Sequence, residues 1–257
     1  MDGALVRGNS TLFEGNVVET AGARSVLQLG GTQVTLLPES RAAIYHDRTV
    51  LQKGSLLSGA GRLQVEAIGL RIAPSAANSS IQVEIPSIGH VAVSARDGGA
   101  EVHNQAGILV ASLRAGMALA FEPRASAPEA VQVTGRVQAS NGEFFVTDET
   151  TRVTSEIVGI ELGKDVGKRV QVNGEIISSA PVGAATQVVR ATNRKILVAA
   201  AAGGGVAGAG AAGAGAATAG GLSTIATAAI IGGVAVSGTV VGLAASGTFS
   251  GSSASPK

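Results

Sequence analysis

The 257-residue chain is 45% hydrophobic but only 2% aromatic, with 37 glycines, no cysteine, no tryptophan and a formal net charge of +1. The absence of cysteine excludes a disulfide framework, a thiolate metal site and a thiol nucleophile. The near-neutral charge provides no long-range field to draw in nucleic acid or an anionic membrane surface. A core must come from Val, Leu, Ile and Ala, which suits thin β layers.

The chain opens Met1-Asp2-Gly3-Ala4-Leu5-Val6, with an acid at its second position and no apolar stretch before Arg7-Gly8-Asn9-Ser10. It does not read as a secretory leader. Two expectations follow: a start in the cytoplasm, or a chain given without its leader. From Phe13 to Gly54, short apolar runs (Val17/Val18, Leu27/Leu29, Val34/Leu36, Ile44, Val50/Leu51) alternate with breaks at Ala21-Gly22, Gly30-Gly31, Pro38 and Gly54. This is the pattern of a stack of short strands. Leu63/Val65/Ala67, Leu70/Ile72, Ile81/Val83/Ile85 and Val91/Val93 continue the period of two. Residues 107–113 and 117–121 add two strands around Ala115-Gly116. Residues 1–124 are therefore expected to form one all-β domain, with a sandwich, a jelly roll and a short solenoid all compatible with the spacing.

A proline-bounded, small-residue linker is expected at 125–130, followed by a second unit at 131–195. Five strands are predicted there, at 131–139, 144–147, 152–157, 168–176 and 187–191, with a hairpin turn at Asn141-Gly142 and a helical turn near Glu161 to Gly167. Five strands with a short insert after the third is the layout of a small OB-like barrel.

Beyond Lys195 no charged residue occurs until Lys257. The apolar segment 196–248 is long enough for two crossings of a bilayer, Ile196 to Ala219 and Leu222 to Ala245, turning near Gly220-Gly221. Small residues at four-residue spacing, Gly204/Gly208/Ala212/Ala216/Gly220 and Gly238/Gly242, resemble a glycine zipper for close helix packing. A Gly/Ala-rich transmembrane helical hairpin with a polar tail at 249–257 is the expectation, and a Gly/Ala-rich tail without fixed structure the alternative. Arg194 and Lys195 would mark the boundary of the first span, as a cytoplasmic-side signal or as snorkelling anchors.

The segments LFEGNVVETAGARSVLQLGGTQVTLLPESRAAIY, VLQKGS, LQVEAIGLRIAP and GILVASLRAGMALAFEP resemble the FecR-domain family, in particular its envelope-type members from soil bacteria such as acidobacteria. The resemblance covers residues 1 to about 124. VTGRVQASNGEFFVTDETTRVTSEIVG and VGKRVQVNGEI are similar to the small barrel that follows that domain in many such proteins. The resemblance implies an all-β binding domain and, for FecR proteins in the strict sense, signalling to a sigma factor across the inner membrane. Here the apolar spans come last rather than before the β domain.

No motif supports catalysis. Gly208-Ala209-Gly210-Ala211-Ala212-Gly213 matches GxGxxG but lacks the βαβ setting and downstream acid of a dinucleotide site. His46, His90 and His103 have no metal-ligand spacing, and neither Ser55 nor Ser94 has a base and orienting acid nearby in sequence. Asp148-Glu149 beside Phe144-Phe145 reads as a solvated turn rather than a catalytic carboxylate pair. Arg136, Arg152, Lys168, Arg169, Arg190 and Arg194, with the two phenylalanines as stacking platforms, could line a nucleic-acid groove. Glu143, Asp148, Glu149, Glu156, Glu161 and Glu175 offset that charge and weigh against it.

The sequence thus points to a mainly β, non-enzymatic, membrane-anchored envelope protein with no cofactor, metal or catalytic residue. It would lie on the periplasmic side if a leader is missing, and would bind another protein or a surface polymer. A signal-transduction component related to FecR regulators and a single-stranded nucleic-acid or ligand binder are the alternatives.

Overall fold

The computed structural model describes residues 10–123, 130–197, 227–231 and 234–238. Among the described residues, twelve strands precede residue 124. One sheet runs β1 (Val17–Glu19), β4 (Arg41–Ile44), β5 (Arg48–Ser58), β6 (Gln64–Ala67), β7 (Leu70–Pro74), β10 (Gly99–His103) and β11 (Leu109–Arg114). A second contains β2 (Ser25–Leu29), β3 (Thr32–Leu36), the far half of β5, β8 (Ser80–Ser87), β9 (His90–Asp97) and β12 (Ala118–Pro123).

β5 belongs to both sheets: Arg48 to Lys53 pair in the first, and Gly54 to Ser58 in the second. Gly54 is the corner. It has φ +81°, and a Cβ there would lie 2.6 Å from Ser40 Cα and 2.7 Å from the Glu39 carbonyl oxygen, so only glycine fits the bend. Alternation along these strands buries Val34, Leu36, Leu56, Val83, Val93 and Phe121 in a single core.

Past residue 129, β13 (Ala130–Ser140), β14 (Glu143–Thr147), β15 (Thr154–Val158), β16 (Arg169–Ile177) and β17 (Gln187–Ile196) close on themselves in the order β13-β14-β15-β17-β16-β13. Only β15–β17 is parallel. A 3-10 turn, Gly163–Asp165, lies between β15 and β16. This is the strand order of an OB-type barrel. Asn141 (φ 53°) and Gly142 (φ 86°) make the β13–β14 hairpin with the two left-handed residues such a turn requires. The barrel core is aliphatic, with Val133, Val146, Ile157, Leu162, Val170 and Val189 buried.

The expected transmembrane helical hairpin is overturned where the structure describes it. Thr227–Ile231 (β18) and Val234–Gly238 (β19) are antiparallel strands, paired from Thr227↔Gly238 to Ile231↔Val234. β19 pairs with β12 along five residues, and β18 touches β13 through the bridge Gln132↔Ile230. The second sheet therefore continues through this hairpin into the barrel. Ile230, Ile231, Val234 and Val236 are β-branched, which favours strand over helix. The edge of β12 supplies the partner that a short apolar strand needs.

No helix among the described residues is long and apolar enough to cross a membrane. The membrane anchor, membrane partner and membrane localisation expected from the sequence rested on that helix and are corrected with it. Residues 198–226 and 239–257, which include most of the proposed zipper positions and the GxGxxG match, lie outside the described residues.

Candidate functional site: a cleft at the seam of the two β units

Where β11 faces the barrel, the Ser112 N–H donates to the Thr151 carbonyl across 2.8 Å. Beside this contact lies a cleft of about 610 Å³, within the size range of small-ligand sites. One wall is the β10–β11 hairpin. Its turn is fixed by Asn104, whose Oδ1 accepts the Ile108 N–H at 2.9 Å, while the Asn104 N–H donates to the Ile108 carbonyl at 3.0 Å. This wall presents Glu101, His103, Ile108 and Leu109. The opposite wall is the end of β16, the loop 178–186 and the start of β17, presenting Ile176, Ile177 and Gln187.

Gln187 is the most deeply set polar residue of this wall. It is 5% exposed, and its Nε2 donates to Ser155 Oγ at 2.8 Å. Its Oε1 is buried and has no hydrogen-bond partner. A buried acceptor without a partner costs about 1–3 kcal/mol relative to a bonded one, and Thr49 Oγ1 in β5 is in the same state.

The loop that lines the cleft on one side closes the barrel on the other. Glu156, 6% exposed on the outer side of β15, accepts the Val182 N–H at 2.8 Å through Oε2. The Thr186 N–H donates to the Thr154 carbonyl at 3.0 Å, and a Cβ on Gly183 would sit 4.0 Å from the Phe145 ring. Phe145 is buried, and Phe144 packs against the barrel core. Neither ring is free to stack on a base, so the nucleic-acid alternative loses its platforms.

The basic groove does not form either. Arg169 holds Glu149 through Nε and Nη2, with Nη2–Oε2 at 2.6 Å, and Lys168 Nζ and Arg194 Nε reach the buried Asp165 at 3.1 and 2.6 Å. Arg136 donates to the Gly167 carbonyl at 2.9 Å, Arg152 occupies a left-handed turn position, and Arg190 is exposed. Hydrogen bonding from Lys168 holds the Asp165 carboxyl below its ordinary range against the opposing effect of burial, with the charges of Arg194 and Lys168 adding to it. The hydrogen bonds to Glu149 raise Arg169 in the same way. Arg194 and Lys195 lie within β17, with Lys195 opposite Gln171, rather than at a helix boundary.

Asp148 is structural. Its carboxylate accepts the backbone N–H groups of Thr134, Thr150 and Thr151 at 2.8–2.9 Å, fixing the β14–β15 turn. The histidines are dispersed. His46 is exposed, His90 meets Ser87 Oγ and Glu122, and His103 lines the cleft. Ser55 is buried in β5, with Gln82 Nε2 3.4 Å from its Oγ, and Ser94 lies within β9, paired with Gln82 and Ala118. Among the described residues no three His, Cys, Asp or Glu converge on a metal site, and no catalytic constellation assembles.

Sequence reasoning did not find Glu101 or Gln187. Glutamine heading the apolar run Gln187-Val188-Val189 was the available signal, because a polar side chain on a buried strand face needs a partner.

No protein-family model and no curated protein matches the sequence. Among solved structures, two crystal structures of a candidate anti-sigma factor from Parabacteroides distasonis ATCC 8503, at 1.65 and 2.50 Å resolution, are similar to it. Identity is 16% and 17% and TM-score 0.35 and 0.34. Each match covers 53% of this chain, which spans 61% of the other's length. The chain thus has a weak structural similarity, at low identity and over about half its length, to an anti-sigma-factor protein.

Proposed function

We propose that the chain is a non-catalytic binding module related to FecR-domain proteins, with a β domain at 1–124, a linker at 125–130 and a barrel domain at 131–195, and that it docks a segment of a partner protein in the cleft at the seam. The observation that carries this reading is the cleft of about 610 Å³ that the β10–β11 hairpin and the end of β16 with the loop 178–186 form together, with Ile108, Leu109, Ile176 and Ile177 on its walls beside Glu101 and His103. A FecR-domain relationship is supported by the strand-and-glycine-turn pattern of residues 13–121.

Site-specific photocrosslinking in the organism of origin tests it. A photoreactive residue at Ala106, beside the cleft, should capture a discrete partner, and the additional substitution Ile177→Arg should abolish that capture. If Ala106 captures nothing beyond what a probe at Gly22, on the far edge of the molecule, captures, the reading is wrong.

A further inference from the structure

We infer that β2 is a pairing edge for a second copy of this chain, and that two copies join antiparallel about Leu27 into one continuous sheet. The inference stands apart from the cleft. β2 and β3 are joined by the two-residue turn Gly30-Gly31, with φ 53° and 85°. In such a hairpin the residues flanking the turn, Leu29 and Thr32, exchange ladder hydrogen bonds, and every second pair does the same. Ser25, Leu27 and Leu29 therefore bond to β3, while the N–H and C=O groups of Val26 and Gln28 point away from it. The next strand agrees with this phase, since the carbonyl of Gln33, which lies opposite Gln28, accepts the Gly59 N–H on its far side. Among the described residues β2 pairs with β3 alone.

The other three sheet edges of the β domain are blocked. β1 is three residues long and carries Glu19, 3.6 Å from Arg41. β11 meets the barrel through Ser112 and Thr151, and β12 is covered by β19. Short length, charge and covering are the means by which sheet edges are kept from pairing. β2 has none of them: Ser25 to Leu29 includes no charge and no proline, and Val26 is 53% exposed.

The strand is its own complement. With two copies aligned about Leu27, Val26 faces Gln28 of the second copy and exchanges both hydrogen bonds with it, and the symmetric pair does the same. All four outward groups of each copy are then used. Leu27 meets Leu27 of the second copy, Ser25 meets Leu29, and Arg24 falls opposite Gly30, so no like charges face each other.

Sedimentation of the full chain should show a monomer–dimer equilibrium. Amide-resolved hydrogen exchange should find Val26 and Gln28 protected at high concentration and exposed on dilution, while Leu27, bonded to β3, stays protected at both. Val26→Pro removes an outward N–H and leaves the β2–β3 bonds in place, as an edge strand allows. It should weaken the dimer at least about tenfold. Val26→Lys places two lysines near each other across the twofold axis and should weaken it likewise, which keeps the test decisive if the proline variant fails to fold. A chain that is monomeric at every concentration overturns the inference, as does a dimer that Val26→Lys leaves unweakened. Protection of Val26 and Gln28 that does not change on dilution also overturns it, and assigns the edge to another segment of the same chain.

Discussion

The loop 178–186 has two sides that differ in one respect. Towards the barrel, the Val182 N–H and the Glu156 carboxylate satisfy each other, and Phe145 is covered. Just past the loop, Gln187 has one end bonded to Ser155 and the other orphaned. The barrel's other buried acids follow the first pattern: Asp148 accepts three backbone N–H groups, and Asp165 meets two cations. An orphan of this kind is not confined to the cleft, since Thr49 Oγ1, fully buried in β5, also lacks a hydrogen-bond partner.

The largest effect that would break this contrast is at Asp148. Asp148→Ala leaves three backbone donors without their acceptor, and urea unfolding should show a loss of about 3–5 kcal/mol. Glu156→Ala should cost less, about 1–3 kcal/mol, because it orphans the single Val182 N–H. Hydrogen exchange at Val182 should then accelerate while the strands of the barrel keep their protection. At the cleft, the double change Ser155→Ala with Gln187→Leu removes both partners and the orphan together, so stability should stay within about 1 kcal/mol of the parent or rise. A loss as large as that at Asp148 would show that Gln187 is a structural group like the others.

The smallest effect is the pH dependence of Asp165. Its carboxyl titrates below the ordinary value of 3.8, so its contribution is present above that value and is lost as pH falls through the depressed one. Asp165→Asn should flatten the acid limb of the melting curve over that interval and leave it parallel to the parent near neutrality.

Strand positions were legible wherever one face is buried and the other wet. Ile81/Val83 and Val91/Val93 alternate because β8 and β9 pack one face on the core. The hairpin at Asn141-Gly142 was legible because so few residues adopt two successive left-handed conformations. The C-terminal segment was not. Hydropathy reports that Leu222 to Ala245 avoids water, and a bilayer and the unpaired edge of β12 both provide for that. The cleft was hidden for a related reason, since Glu101 and Gln187 are 86 positions apart and line one cleft only through the packing of the hairpin against the barrel.

An aliphatic β protein with glycine-punctuated strands is readable from the residues alone, because side-chain period and backbone permissiveness are local properties. That β5 serves two sheets, that β18 and β19 extend β12, that loop 178–186 packs near Phe145, and that Glu101 and Gln187 line one cleft follow only from the way the chain packs. Each of these depends on which distant backbone or side chain arrives as a hydrogen-bond partner, and local periodicity carries no record of that arrival.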